Sequence, residues 1–306
     1  MSQPVSSPSV LPLALQERRI EVPGLELAAL TANLEPAQQG PTPHKPILLL
    51  HGWMDNAASF LPLMPYLAKH PMVALEHAGH GHSQHRPPGR WYHLMDYVAD
   101  ALAAVDALGW DEFYLIGHSL GGAVSTLVTA AIPERVKSLV VIEGLGPLAG
   151  EGKDICQRLQ RSWKQLRDID PERLRRYETV DEAVQARVRK NHINEAPARA
   201  LVERGLQRDG EHWIWRTDPR LNITTPYRFD EDQIQHLMRG IECSCLSLLS
   251  DPPTPLLPLD DFRQRLAALP QGRMAQLPGG HHLHMNYPAE LAALILEHFN
   301  GGSDPS

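Results

Sequence analysis

Residues 114–125 read YLIGHSLGGAVS and place Ser119 between Gly117 and Gly121 in the order G-x-S-x-G. Three specified positions of this kind match by chance in roughly one chain in ten of this length, so the surrounding sequence has to decide what the serine does. A strand-like run precedes the motif and a helix-like run follows it. A sharp strand-to-helix turn exposes the serine hydroxyl and needs small neighbours, which the two glycines provide. The stretch therefore predicts a nucleophile elbow, with His118 directly before the serine.

Strand-like and helix-like segments alternate on both sides of this turn. Short apolar runs that end in glycine turns are typical of strands buried on both faces, and the intervening segments have helical periodicity. The alternation predicts an α/β fold with a mostly parallel central sheet, helices on both faces and a ligand site at the carboxyl ends of the strands. The predicted strands occupy 17–22, 25–32, 45–53, 71–81, 111–119, 136–147, 243–250 and 273–279, and the predicted core helices occupy 59–70, 91–110, 120–136, 260–269 and 288–299.

The alternation stops between residues 151 and 240, where Arg, Glu and Gln are frequent and the period is helical. We interpret this part as a helical cap inserted into the α/β core. Both chain ends are short and polar, the first rich in Pro and Ser, which predicts disordered tails. The predicted domains are a tail at 1–14, a discontinuous core at 15–145 and 237–300, a cap at 146–236 and a second tail at 301–306.

The composition limits the classes of partner that this protein is expected to bind. The chain has 306 residues and a net charge of −7, which argues against nucleic acid because phosphate binding needs a basic surface. The charge fits a substrate that is not an anion drawn in by a strong field, and the partner expected is a small-molecule acyl substrate whose acid part is largely uncharged. No apolar run is long enough to span a membrane, and the N-terminus is a poor signal peptide, so a cytoplasmic location is expected.

Two groups of residues raise the alternative of a metal site. The three cysteines include a C-x-C pair in an apolar run, where cysteine behaves as a small buried hydrophobe. Residues 80–85, HGHSQH, resemble the zinc motif of metallo-β-lactamase-type hydrolases, but Gln84 replaces the aspartate of that motif and is a poor ligand. The sequence therefore predicts neither metal nor cofactor. The residues concerned are Cys156, Cys243, Cys245, His80, His82 and His85.

A serine hydroxyl is a weak nucleophile at neutral pH and needs a base. The candidates lie in 277–288, LPGGHHLHMNYP, just after the last predicted strand. We predict that His281, the first residue after the Gly-Gly turn, is this base. His282 and His284 are close alternatives. Adjacent side chains of an extended loop point in different directions, so only one of His281 and His282 should reach Ser119.

Four stretches together resemble the α/β-hydrolase superfamily, and within it the serine hydrolase-like proteins: LLLHGWMDNAASF, HAGHGHSQHRPPG, YLIGHSLGGAVSTLVTAAIPERVKSLVVIEGLGP and GGHHLHMNYP. The resemblance covers about residues 17–300. It implies a capped hydrolase with Ser119 as nucleophile and His281 as base. The oxyanion donors, which this chemistry requires as a pair, would be the backbone N–H groups of Leu120 and Trp53.

The third member of the triad stays open between two carboxylates. Many family members carry the acid three residues after a glycine that ends the strand before the last. Here Ser250 stands in place of that glycine and Pro253 at the acid position, with Asp251 two residues away. Another subset places the acid after the strand that follows the nucleophile helix, where this chain has Glu143. Glu143 is favoured, Asp251 is the alternative, and Asp260 or no acid is the remaining possibility.

These residues predict a serine hydrolase that forms an acyl-enzyme and acts on a carboxylic ester or a related acyl bond. The alternative is a hydrolase-fold protein that binds a ligand without turnover, since a fold does not prove an activity. The elbow serine disfavours reactions that use an aspartate nucleophile. Trp53 is expected to line the pocket, and Trp213 and Trp215 either line it or belong to the core of the cap.

Overall fold

The central structural unit is an eight-stranded sheet, seen in a computed structural model that describes residues 10–34, 44–170, 174–254 and 258–301. Its strands, in chain order, are β1 (Leu15–Val22), β2 (Leu25–Ala32), β3 (Ile47–Leu50), β4 (Met72–Leu75), β5 (Phe113–His118), β6 (Val136–Ile142), β9 (Ser244–Asp251) and β10 (Gly272–Pro278); β7 (Leu206–Asp209) and β8 (His212–Trp215) form a separate antiparallel pair. The order across the sheet is β1-β2-β4-β3-β5-β6-β9-β10. β2 is antiparallel to both neighbours, and the other pairs are parallel.

Helices of the core cover both faces of this sheet. The α-helices of the described residues are α1 (Leu94–Leu108), α2 (Leu120–Ala131), α3 (Ile155–Asp168), α4 (Val180–Asn191), α5 (Glu195–Gly205), α6 (Glu231–Arg239), α7 (Leu259–Ala268), α8 (Leu283–Asn286) and α9 (Pro288–Phe299). Of these, α3, α4 and α5 lie in the insertion after β6 and add no residue to the two core clusters of the sheet. Successive side chains of a strand point to opposite faces. In β3, accordingly, Leu48 and Leu50 join the core cluster that contains α1 and α2, whereas Ile47 and Leu49 join the cluster that contains α9.

One predicted helix is wrong. The segment 59–70 does not form a continuous α-helix but contributes to two short 3-10 helices, Ala57–Phe60 and Met64–Leu67. Pro62 and Pro65 explain the break, because proline has no N–H to donate and its ring clashes with the preceding helical turn.

The insertion between β6 and β9 contains α3 to α6 and the β7–β8 hairpin. The sequence predicted no strand here, whereas HWIW forms β8. A small core of its own joins α4, α5 and β7. The predicted end of the cap, residue 236, falls inside α6, where Ile234 and Met238 pack into the main sheet core. The exact domain boundaries therefore stay a prediction.

The predicted tails fall mostly on residues 1–9 and 302–306, which lie outside the described residues. Within the first predicted tail, the N–H of Leu11 donates to the carbonyl of Pro65 at 3.3 Å and Leu13 packs against the core. None of the helices that the structure describes combines the length and the apolar character that a bilayer crossing requires. The cytoplasmic location stays a prediction.

Candidate active site

Ser119 lies at the turn between β5 and α2, at the carboxyl end of a central strand. Its backbone has φ 52° and ψ −113°, a conformation that residues other than glycine rarely adopt. The N–H of Ser119 donates to the carbonyl of Ile142 at 2.9 Å, so the turn is fixed against β6. Strain of this kind persists only where the surroundings impose it, and it concentrates at functional sites.

The glycines around the serine are required by close backbone contacts. A Cβ on Gly117 would lie 2.3 Å from the carbonyl oxygen of Gly121, and a Cβ on Gly121 would lie 1.9 Å from that of Leu50. Gly144 faces the serine from the segment after β6, where a Cβ would lie 2.7 Å from the carbonyl oxygen of Ser119. Neither Gly117 nor Gly121 therefore has room for a side chain.

Glu143 is the carboxylate that contacts His281. The His281 Nδ1–H donates to Glu143 Oε2 at 3.4 Å. Glu143 is 6% exposed and also accepts hydrogen bonds from the Ser250 N–H and the Thr254 hydroxyl. Burial on its own would raise the pKa of Glu143, but the hydrogen bonds from His281, Thr254 and Ser250 outweigh it and lower the pKa. The side chain is therefore ionised at neutral pH.

Glu143 also has strained backbone, with φ 55°. Met54, which follows Trp53 in the loop after β3, has φ 63°. Three of the five described non-glycine residues with positive φ, Ser119, Glu143 and Met54, thus lie in or beside the predicted site. The elbow motif indicated a sharp turn at Ser119, but no sequence pattern indicated the strain at Glu143 and Met54, because it arises from the packing of the loops against one another.

The other carboxylates considered from the sequence lie elsewhere. Asp251 is exposed at the end of β9. Asp260 is exposed on α7 and pairs with Arg263 at 3.5 Å. Of the three candidates, Glu143 is the one that the structure brings to His281.

A second pairing, which the sequence did not indicate, lies directly beside the first. His282 Nε2 lies 3.3 Å from Asp55 Oδ2 in a fully buried site, and Asp55 forms an ion pair with Arg187 of α4. The adjacent histidines thus contact different carboxylates, and their rings are nearly perpendicular at 89°. His118 connects the two pairs, because its Nε2–H donates to the carbonyl of His281 at 2.8 Å.

Asp55 and His118 of this second group differ in their charge. Burial would raise the pKa of Asp55, but Arg187 and His282 hold it well below its usual range. Burial lowers the pKa of His118 well below the ordinary value, and the neighbouring histidines lower it further. Asp55 is therefore an anion and His118 is neutral. The Asp55–Arg187 pair joins the core to the cap, a long-range contact that no local pattern could predict.

Of the two predicted oxyanion donors, one begins a helix and the other lies in a turn. Leu120 begins α2, where the first N–H groups of a helix have no intrahelical acceptor. Trp53 lies in the turn closed by the hydrogen bond from the Asp55 N–H to the Gly52 carbonyl at 3.1 Å. The indole of Trp53 is 47% exposed, and its N–H donates to the carbonyl of Leu221 in the cap at 3.2 Å.

A cavity of about 760 Å³ opens at these residues. Trp53, Ser119, Leu120 and Glu143 line its core side, and residues of α3 and of the segment before α6 line its cap side. The tryptophans of β8 do not line this cavity. The hairpin instead turns both rings toward the core of the cap. The guanidinium carbon of Arg208 lies 4.3 Å from the ring centre of Trp213. The indole N–H of Trp215 donates to the Tyr177 hydroxyl at 3.1 Å.

The residues of the rival metal motifs have other surroundings. His80 is buried beside the Ala78 carbonyl, and His85 contacts the Arg216 carbonyl and Asp218. Burial raises the pKa of Cys243 to about 11, and Cys156 is exposed on α3. Within the described ranges, no group of three or more His, Cys, Asp or Glu side chains is arranged to hold a metal ion.

Comparison with known proteins identifies the family. A family model of the alpha/beta hydrolase fold matches residues 45–194. The serine hydrolase-like protein of Danio rerio is 30% identical over 271 residues, which cover 84% of this chain and 82% of that protein. The chain belongs to the α/β-hydrolase superfamily, close to the serine hydrolase-like proteins. The superfamily and the fold predicted from the four motifs are confirmed.

Two further members have similar coverage. Serine hydrolase-like protein 2 of Homo sapiens is 26% identical over 94% of this chain and 95% of that protein. The crystal structure of a hypothetical protein from Pseudomonas aeruginosa PAO1 is 38% identical, covers 94% of this chain and 99% of that one, and superposes with a TM-score of 0.83. The α/β-hydrolase similarity thus extends through the insertion as well as the sheet.

Proposed function

We propose that this hydrolase-family protein cleaves a carboxylic ester, or a related acyl bond, through a Ser119–His281–Glu143 triad. The contact between His281 Nδ1 and Glu143 Oε2 carries the proposal, because it fixes the imidazole through one nitrogen and leaves Nε2 for the serine. The strained turn at Ser119 and the cavity that it lines support the same conclusion.

In the first half of the reaction, Ser119 Oγ attacks the acyl carbon while His281 Nε2 accepts the hydroxyl proton. Negative charge develops on the carbonyl oxygen, and the N–H groups of Leu120 and Trp53 donate to it. The intermediate then collapses, and the leaving group departs with the proton from His281. Ser119 is left as an acyl ester.

In the second half, His281 removes a proton from water, and the hydroxide attacks the acyl carbon. The new intermediate breaks the bond to Ser119 Oγ, which takes back its proton from His281, and the free acid leaves. Glu143 remains ionised throughout and stabilises the imidazolium that forms twice in each cycle. Its low pKa and its hydrogen bonds from Ser250 and Thr254 suit this role.

The test is a rapid-mixing assay with p-nitrophenyl butyrate, combined with intact-protein mass spectrometry. We expect a burst of p-nitrophenol and a butyryl adduct in the wild type, and neither in Ser119→Ala. His281→Gln should lower the acylation rate by a factor of about 10³ or more. Circular dichroism of each variant controls for folding.

A folded wild type that neither hydrolyses this ester or a butyryl thioester nor gains an adduct would contradict the proposal. That result would favour the alternative of a binding protein without turnover.

A further inference from the structure

The cavity above Ser119 contains more positive charge than the chain as a whole predicts. Six charged side chains line it, two carboxylates and four arginines: Asp96, Glu143, Arg158, Arg161, Arg228 and Arg265. Of the two carboxylates, Glu143 contacts His281, and Asp96 lies 3.7 Å from Arg86, a residue that does not itself line the cavity. The buried Arg265 pairs with Glu231. With Arg265 left out because Glu231 offsets its charge, three arginines remain in the lining against two carboxylates.

Three further arginines of the cap line the same cavity: Arg158 and Arg161 on α3, and Arg228 before α6. Among the described residues none of the three has a carboxylate within ion-pair distance. Arg228 makes a single 3.3 Å hydrogen bond to the Ala149 carbonyl, and the buried Arg158 Nε has no protein acceptor. Arg161 is exposed, whereas Arg158 and Arg228 are partly buried, and an anion that accepts hydrogen bonds from a partly buried guanidinium stabilises it.

The electrostatics of the group agree with this arrangement. Arg228 is partly buried, and its pKa is lowered by that burial and by the positive charge of Arg158. The two guanidinium groups therefore repel each other across the cavity in the free protein. An anion between them would remove the repulsion and satisfy the unpaired donors. Since a guanidinium presents a planar fork of N–H groups, carboxylate and phosphate oxygens fit it best.

We propose that Arg158, Arg161 and Arg228 bind an anionic group of the substrate, a carboxylate or a phosphate, at a distance from the acyl carbon that Ser119 attacks. This inference rests on the proposed function and specifies its substrate class. It replaces the largely uncharged acid expected from the net charge of −7, because net charge does not report the local field of a cavity.

Two substrate pairs test the inference and separate the two sources of the anion. For a carboxylate on the acyl side, mono-p-nitrophenyl glutarate is compared with its neutral methyl ester. For phosphate on the leaving-group side, butyryl-coenzyme A is compared with the butyryl thioester of N-acetylcysteamine. The measured quantity is the ratio of kcat/KM within each pair. We expect the anionic member to be preferred at least tenfold in one pair.

The substitutions Arg158→Gln and Arg228→Gln should each reduce that preference by a factor of about 10, as expected for the loss of a charge-assisted hydrogen bond. The matched control is Arg167→Gln on the same helix, because Arg167 pairs with Asp168 and does not line the cavity. This control should keep the wild-type ratio. Equal kcat/KM within both pairs, or ratios unchanged by the two cavity substitutions, would overturn the anion site.

Failure of the proposed function would look different. In that case no ester or thioester is cleaved, and Ser119 forms no adduct with a fluorophosphonate. Calorimetric titration of the wild type with glutarate and with inorganic phosphate then tests the anion site on its own. Binding that Arg158→Gln weakens about tenfold would keep the site, whereas no binding of either anion would overturn it.

Discussion

His281 Nδ1 lies 3.4 Å from Oε2 of Glu143, a residue that follows β6, and not beside Asp251 at the end of β9. The neighbouring strand nevertheless contributes to the same site. β9 pairs with β6, and the N–H of Ser250 and the hydroxyl of Thr254 both donate to the Glu143 carboxylate. The segment after β9, in which the alternative acid Asp251 was predicted, here donates hydrogen bonds to the carboxylate of Glu143 after the adjacent strand.

This arrangement predicts that the two carboxylates differ in their effect on catalysis. Glu143→Gln should slow the reaction of Ser119 with a fluorophosphonate by a factor of about 10² to 10⁴, because the imidazolium loses its anionic partner. The matched control, Asp251→Asn, should change the rate less than threefold. A slow Asp251→Asn variant with a fast Glu143→Gln variant would assign the acid to β9 instead.

The elbow predicts a strict requirement for glycine. Gly121→Ala should lower the free energy of unfolding by 3 kcal/mol or more, or prevent folding, since its Cβ would lie 1.9 Å from the carbonyl oxygen of Leu50. Gly152→Ala is the control, because no atom lies within 4 Å of the Cβ that it adds. Urea unfolding measures both. Equal stability of the two variants would show that the turn can relax.

The buried Asp55 predicts a loss of stability that depends on pH. Asp55→Ala should lower the free energy of unfolding by about 3–5 kcal/mol at pH 7, because it leaves Arg187 buried without its partner. The pKa of Asp55 is depressed in the folded state, so its stabilisation is present above the unfolded value of about 3.9 and disappears as the pH falls through the folded value. The exposed Asp106, paired with Arg135, is the control: Asp106→Ala should cost less than about 1 kcal/mol. Urea unfolding at pH 7 that gives equal losses would contradict the assignment.

The buried His284 predicts that the protein loses stability at a higher pH than the range in which Asp55 becomes protonated. It is fully buried, neither ring nitrogen has a partner among the described residues, and burial lowers its pKa to about 3. Between this value and about 6.5 the unfolded chain binds a proton that the folded protein excludes, so stability decreases as the pH falls. His284→Leu should therefore lose about 1–2 kcal/mol less than the wild type between pH 7 and pH 5.

Urea titrations at the two pH values measure this difference. His236→Leu is the control, since His236 is exposed on α6 and should leave the pH dependence unchanged. An identical loss of stability in the wild type and His284→Leu would mean that the buried imidazole is protonated or rearranged at pH 5.

The sequence was most informative where the signal is local. The strands and the glycines around Ser119 follow from apolar runs and a turn that admits only small residues, and both are present. Two 3-10 helices near Pro62 and Pro65 replace the predicted helix, because the spacing of apolar residues does not show that proline lacks a backbone N–H. The break is a local effect, and the two prolines in the segment are the sequence signal for it.

Long-range contacts could not be predicted in the same way. The choice of Glu143 depends on β9 lying beside β6, and the burial of Asp55 depends on Arg187, which is 132 residues away. The inward turn of Trp213 and Trp215 depends on a hairpin that the helical composition of the insertion concealed. Each of these features is set by the path of the chain and not by its local pattern.

The site of covalent labelling tests most directly whether Ser119 is an activated nucleophile. The wild type is treated with a fluorophosphonate and digested, and the adduct is located by tandem mass spectrometry. We predict one adduct, on Ser119, whose formation slows by a factor of about 10² or more in both His281→Gln and Glu143→Gln. A folded protein that gains no adduct, or gains it on another serine, would show that Ser119 is not an activated nucleophile.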